Sequence, residues 1–87
     1  SVLFYPLSGE LKVSDKSIHL TKHELTLLSF LVKNKNHIII KNTIEDVLKY
    51  EEPMTDAAYK NLIYRLRKKI GNESLETIIG VGIRLNV

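Results

Sequence analysis

The chain has 87 residues, 44% hydrophobic and 26% charged, enough apolar material for the core of one small domain with an ordinary polar surface. It contains no cysteine, which excludes disulfide staples, thiolate catalysis and cysteine-based zinc modules. The net charge is only +3, yet the segment Thr55–Ile70 holds five cations (Lys60, Arg65, Arg67, Lys68 and Lys69) against the single carboxylate of Asp56, so the basic character is local.

Residues 1–20 carry short apolar groups at Val2 to Leu7, Leu11 to Val13 and Ile18 to Leu20, split by Ser8-Gly9 and Ser14-Asp15. These are strand and turn signals, and they predict a small antiparallel sheet. No charged-then-apolar leader opens the chain, and the longest apolar stretch, Leu25 to Val32 with Thr26 and Ser29 inside it, is too short to cross a bilayer. A cytoplasmic location is expected. The start at Ser1-Val2, without a Met, reads as one domain cut from a longer protein.

Thr21-Lys22-His23-Glu24 has the form of a capping box, with Leu20 and Leu25 flanking it as a hydrophobic staple. Leu25, Leu28, Leu31 and Val32, with Leu27 widening the stripe, repeat at helical spacing until Asn34–Asn36, which makes this a core helix. Ile38–Ile40 is a β-branched run too short for a helix and is expected as a strand at an edge or centre of the sheet. A second helix is expected with Asn42 as its cap and Ile44, Val47 and Leu48 as its apolar face, ending at Tyr50–Pro53. Thr55 caps a third and longer helix, whose Tyr59, Leu62, Ile63, Leu66 and Ile70 form one stripe stopped by Gly71-Asn72. Thr77–Ile79, the turn Gly80-Val81-Gly82 and Ile83–Leu85 predict a closing hairpin. The expected fold class is α+β: an N-terminal antiparallel sheet over 1–20, a three-helix core over 21–70 and a hairpin wing over 76–87.

Burying the stripe of the third helix leaves Ala57, Lys60, Asn61, Tyr64, Arg65 and Lys68 on the opposite face. A DNA major groove admits an α-helix, and Arg, Lys and Asn match the acceptor and donor edges of guanine and adenine. Arg67 and Lys69 flank this face and are expected on phosphates, which position a protein without reading sequence. Arg65 lies off the apolar stripe, so its loss is expected to leave folding intact. A helix pair, a basic helix and a hairpin together have the layout of a winged helix-turn-helix.

The remaining constellations offer no chemistry. His19 and His23 are four apart, but the first helix begins between them, which denies them a common metal-binding face. Gly80-Val81-Gly82 lies between two strands and lacks the helix that a phosphate cradle requires. The carboxylates are scattered and no nucleophile, base and acid can be grouped by spacing. Neither an enzyme nor a metal or cofactor is expected.

Three blocks in register resemble one family: Leu20-Thr21-x-x-Glu24-x-x-Leu27-Leu28-x-x-Leu31, Ile63-x-Arg65-Leu66-Arg67-Lys68-Lys69-Ile70, and Thr77-Ile78-x-Gly80-Val81-Gly82-x-Arg84-Leu85. Together they are similar to the C-terminal winged-helix effector domain of OmpR/PhoB-type response regulators. The resemblance implies a four-stranded N-terminal sheet, three helices and a hairpin wing that reaches toward a minor groove. It implies groove-facing roles for Lys60, Asn61, Tyr64 and Arg65, a phosphate contact for Arg67 and a backbone contact for Thr77. It further implies double-stranded DNA as partner, bound at direct repeats, and a receiver domain outside this chain served by a histidine kinase. RNA polymerase contact through the Lys49–Met54 loop belongs to the same picture, as does a fragment that is monomeric without DNA and touches no membrane. The sequence departs from the family where Ile79 replaces an Arg and Ile83 a Tyr in the wing. Ile40 stands at a usual Ser cap, and Lys49 or Tyr50 at a usual Trp.

Two rival readings stay open at this stage. One is a winged-helix module whose basic helix binds an acidic protein, and the other is the DNA-binding domain of a membrane-anchored activator. Salt dependence of duplex binding separates the first from a DNA binder, because each neutralised phosphate releases counterions.

Overall fold

The three short apolar groups at the N-terminus pair as an antiparallel sheet, β1 (Val2–Tyr5), β2 (Glu10–Val13) and β3 (Lys16–Ile18), in the order β1-β2-β3. The computed structural model describes residues 2–48 and 54–87. Val13 pairs with Lys16, so Ser14 and Asp15 form a two-residue hairpin loop, and both take the positive φ (51° and 67°) that such a loop needs to match strand twist. Among the described residues this sheet has three strands, one fewer than the resemblance implies.

Helix α1 (Lys22–Lys33) starts at the capping box: the Thr21 hydroxyl accepts from the Glu24 amide at 3.3 Å, and the Thr21 amide donates to Glu24 Oε1 at 2.9 Å. Leu27, Leu28 and Leu31 are its buried apolar residues. Leu25 is only half-buried and instead reaches the β1–β2 turn, where its methyl groups lie against Gly9.

The Ile38–Ile40 strand, β4, does not join the N-terminal sheet. It pairs antiparallel with β6 (Gly82–Leu85), which also pairs with β5 (Leu75–Ile78), so that the hairpin is widened to a second three-stranded sheet of order β4-β6-β5 with β4 at its edge. Helix α2 (Lys41–Leu48) follows β4 directly. The ladder pair Ile40–Gly82 fixes where the strand ends, and the helix therefore begins at Lys41, which places Asn42 inside the first turn rather than at the cap. The expected end of this helix at Tyr50–Pro53, and the aromatic position at Lys49 or Tyr50, lie outside the described residues.

Helix α3 (Asp56–Ile70) is capped by Thr55, whose hydroxyl accepts from the Ala58 amide at 3.1 Å. All five stripe residues, Tyr59, Leu62, Ile63, Leu66 and Ile70, are buried. They meet Leu27 and Leu31 of α1, Ile44 and Leu48 of α2, and Leu75, Ile83 and Leu85 of the second sheet in one core. Each fully buried Leu or Ile contributes about 1.5–3 kcal/mol, so the stripe fixes the roll of α3 and with it the identity of the outward face.

The hairpin is displaced by one residue from the expected position: β5 ends at Ile78, β6 begins at Gly82, and the turn is Ile79-Gly80-Val81 with Gly80 at φ 77°. Gly82 belongs to the strand for a steric reason. A Cβ there would lie 2.0 Å from the Ile39 carbonyl oxygen, so only glycine lets β4 approach β6 this closely. Three helices and two small antiparallel sheets, the second carrying a hairpin beside α3, make an α+β winged-helix fold.

Candidate nucleic-acid interface

With the stripe buried, Ala57, Lys60, Asn61, Tyr64, Arg65 and Lys68 are all exposed, as the helical spacing predicts. Tyr64 presents 54% of its surface, and Lys68, one turn on, holds its ammonium 5.4 Å from the Tyr64 ring centroid. The two edges of α3 are engaged differently.

On the α1 edge, Arg65 and Lys69 converge on Glu24, a carboxylate with no exposed surface. Lys69 Nζ donates to Glu24 Oε1 at 2.5 Å and to the His19 carbonyl at 2.9 Å, while Arg65 Nε lies 3.3 Å from Glu24 Oε2. Burial pushes the Glu24 carboxyl upward. The Lys69 bond, the Thr21 amide and the charges of Lys69 and Arg65 outweigh burial, and the net shift is below the ordinary value. Lys69, expected on a phosphate, here ties α3 to the start of α1. Arg65 is shared between the outward face and this buried ion cluster, a contact that its place off the apolar stripe did not announce.

On the wing edge, Arg67 donates from Nε to the Leu75 carbonyl at 3.1 Å and from Nη2 to the Thr77 hydroxyl. The structure thus brings Arg67 and Thr77 together at the base of the wing, with Arg67 half-buried. Between α3 and the wing runs a cleft of about 430 Å³, whose polar lining is Lys41, Lys60, Arg67 and Thr77 and whose far wall is Gly80, Val81 and Ile83. Lys41, which spacing alone did not single out, bonds Asp56 at 2.7 Å with its ammonium 5.4 Å from the Tyr59 ring centroid. The bond to Asp56 raises the Lys41 ammonium above its ordinary value, and Lys41 in turn holds Asp56 below its own.

The wing itself has an apolar tip. Ile79 is 93% exposed, whereas Ile83, at the second departure from the family pattern, is buried in the core. The wing's Arg84 is taken up across the hairpin by Glu76, which accepts from Nε at 3.1 Å and from Nη2 at 2.7 Å. Among the described residues no group of His, Cys, Asp and Glu could hold a metal ion, and no helix is long and apolar enough to cross a membrane.

Residues 15–85 match the family described as "Transcriptional regulatory protein, C terminal". The chain belongs to this family. It is 32% identical over 74 residues to the transcriptional regulatory protein QseB of Haemophilus influenzae, covering 84% of this chain and 34% of QseB. The chain thus spans about a third of the length of the curated relatives it matches. The crystal structure of the DNA-binding domain of Bacillus subtilis CssR is 28% identical, covers 98% of this chain and 99% of its own, and superposes with a TM-score of 0.82. The Klebsiella pneumoniae RstA DNA-binding domain, solved in complex with the RstA box, superposes at 0.83 over 99% of this chain and 91% of its own; at 17% identity it bears on the fold alone. In this family the chain keeps a cationic outward face on α3 but presents a wing whose arginine is occupied and whose tip is apolar.

Proposed function

We propose that this domain binds double-stranded DNA in a sequence-specific way, as the output module of a two-component transcriptional regulator. The observation that carries the reading is the roll of α3: its apolar stripe is wholly buried, so Lys60, Asn61, Tyr64, Arg65 and Lys68 stand together on the face turned to solvent. These side chains are long-armed, hydrogen-bonding and mostly cationic, and a helix so equipped suits the major groove. Arg67 and Thr77, joined at the base of the wing, are the candidates for the flanking sugar-phosphate backbone. CssR, whose DNA-binding domain shares this fold, supports the reading.

The domain works in the cytoplasm, monomeric by itself, with a receiver domain and its histidine kinase outside this chain. One such module buries roughly 600–1,000 Å² on a duplex, which gives modest affinity, and two copies on direct repeats about 10–10.5 base pairs apart meet the same face of the helix. Contact with RNA polymerase through Lys49–Met54 belongs to the same proposal; residues 49–53 lie outside the described residues.

Gel-shift titration on one and two half-sites, with the repeat spacing varied by half a turn and the salt varied on a random duplex, tests the reading. Cooperative binding lost at half-turn offsets, with a log-linear fall in salt, is the expected result. Weak duplex binding that ignores salt, together with capture of an acidic protein, would favour the rival module, which the depleted wing supports through its apolar Ile79 and occupied Arg84.

A further inference from the structure

The cleft between α3 and the wing brings together three cations that differ in what holds them. Arg67 is committed to the Leu75 carbonyl and Thr77. Lys60 feels the Asp56 carboxylate only through space. Lys41, the first residue of α2, is bonded to Asp56 itself, with 37% of the Lys41 side chain and 75% of the Asp56 side chain exposed.

Asp56 is the only acid on α3; every other charged residue of that helix is a cation. An acid in a first turn has an ordinary justification, since it complements the positive end of the helix dipole. That accounts for the charge, but not for its being spent on a lysine of another helix that lines the cleft. A carboxylate and a phosphodiester offer a lysine the same thing, an anionic oxygen at hydrogen-bond distance. Exposed pairs of this kind hold weakly and exchange partners readily.

We infer that Asp56 stands in for a backbone phosphate: it holds Lys41 in the unbound domain, yields it when a phosphodiester enters the cleft, and so restrains binding to any duplex. The inference rests on the DNA reading above. Its consequence is specific. The restraint acts on a contact that carries no sequence information, so it lowers affinity for cognate and random duplexes alike and leaves their ratio unchanged.

The test is a set of anisotropy titrations of a labelled random duplex and a cognate duplex between 50 and 200 mM salt, with wild type, Asp56→Asn, Lys41→Ala and the double variant. Asp56→Asn is expected to tighten both duplexes by about 3-fold at the lower salt, and Lys41→Ala to weaken both by a similar factor and lower the salt slope by about one. In the Lys41→Ala background the gain from Asp56→Asn should vanish. Thermal melts confirm that all variants fold, and both positions are exposed enough to expect so. An Asp56→Asn gain that is the same with and without Lys41 would mean general repulsion of DNA and overturn the inference, as would variants that bind like wild type. Wild type that binds no duplex at 50 mM salt would overturn the DNA reading itself.

Discussion

Arg65 Nε lies 3.3 Å from Oε2 of Glu24, so a residue on the candidate DNA face is also a counter-charge for a fully buried carboxylate. Arg65→Ala should therefore have two separable effects. Loss of the ion pair, made by a half-exposed arginine, should cost about 1 kcal/mol of stability, a fall in Tm of roughly 4–8 °C for a domain of this size. Loss of the groove contact should cost about 1–3 kcal/mol on the preferred site. Arg65→Lys divides the two: it supplies the charge that Glu24 needs but lacks the planar fork, and is expected to recover the melting temperature without the specificity. If Arg65→Ala melts as the wild type does, the Glu24 contact carries no weight in the fold.

Glu24 makes a pH-dependent prediction. Its carboxyl is buried, which pushes the pKa up, but Lys69, the Thr21 amide and Arg65 bring it below the ordinary 4.5. A folded value below the unfolded one means that the charged form stabilises the fold fully above about pH 4.5 and that this contribution fades as pH falls through the lowered folded value. Glu24→Gln, which keeps the shape and an oxygen for the Thr21 amide, should lose about 2 kcal/mol at pH 7. In melts taken from pH 7 down to pH 3, the gap to wild type should narrow below about pH 4.5. A gap that stays constant across that range would mean that shape, not charge, is what Glu24 supplies.

Glu24 also marks how far the sequence could be read. Its backbone role was legible because a capping box is local, four adjacent residues whose spacing states the geometry. Its charge partner was not, because Lys69 lies 45 residues away and no periodicity records that separation. The buried stripe of α3 was legible for the same local reason, and it fixed which residues face outward. What it left open was what each edge of the helix meets: Lys69 and Arg67 both read as phosphate contacts, with no sign that α1 engages the first and β5 accepts hydrogen bonds from the second. Ile38–Ile40 showed a strand by composition, but strand composition does not name a partner, and the pairing with β6 had to come from the fold. Lys41 gave no signal at all, since a lysine at the start of a short helix is ordinary until its neighbours in space are known.

Two glycines of the wing should respond differently to the same substitution. At Gly82 an added Cβ meets the Ile39 carbonyl oxygen at 2.0 Å, backbone against backbone, and Gly82→Ala should push β4 off the hairpin at a cost of about 3 kcal/mol. At Gly80 a Cβ has open space and only the φ of 77° is unfavourable, so Gly80→Ala should cost about 1 kcal/mol. Thermal melts of the two variants side by side check this. Equal losses would mean that the close approach of β4 to β6 is wrong.

The wing gives the last prediction. Its arginine is engaged by Glu76 and its tip is Ile79, 93% exposed and apolar, so the wing adds little electrostatic attraction to DNA. Ile79→Arg places a free cation where the family usually has one, at a position whose side chain supports nothing in the core, and the melting temperature should not move. If the wing lies over the duplex, random-duplex affinity should rise and the salt slope should steepen by about one. Ile79→Lys distinguishes the two places that cation can go. A phosphate is satisfied by either side chain, whereas a narrow A·T-rich minor groove holds an arginine in preference, so only the arginine variant should gain further on duplexes with an A-tract in the flank. A salt slope that stays at the wild-type value for both variants would mean that the tip of the wing does not reach DNA, and would leave α3 and its cleft as the whole of the interface.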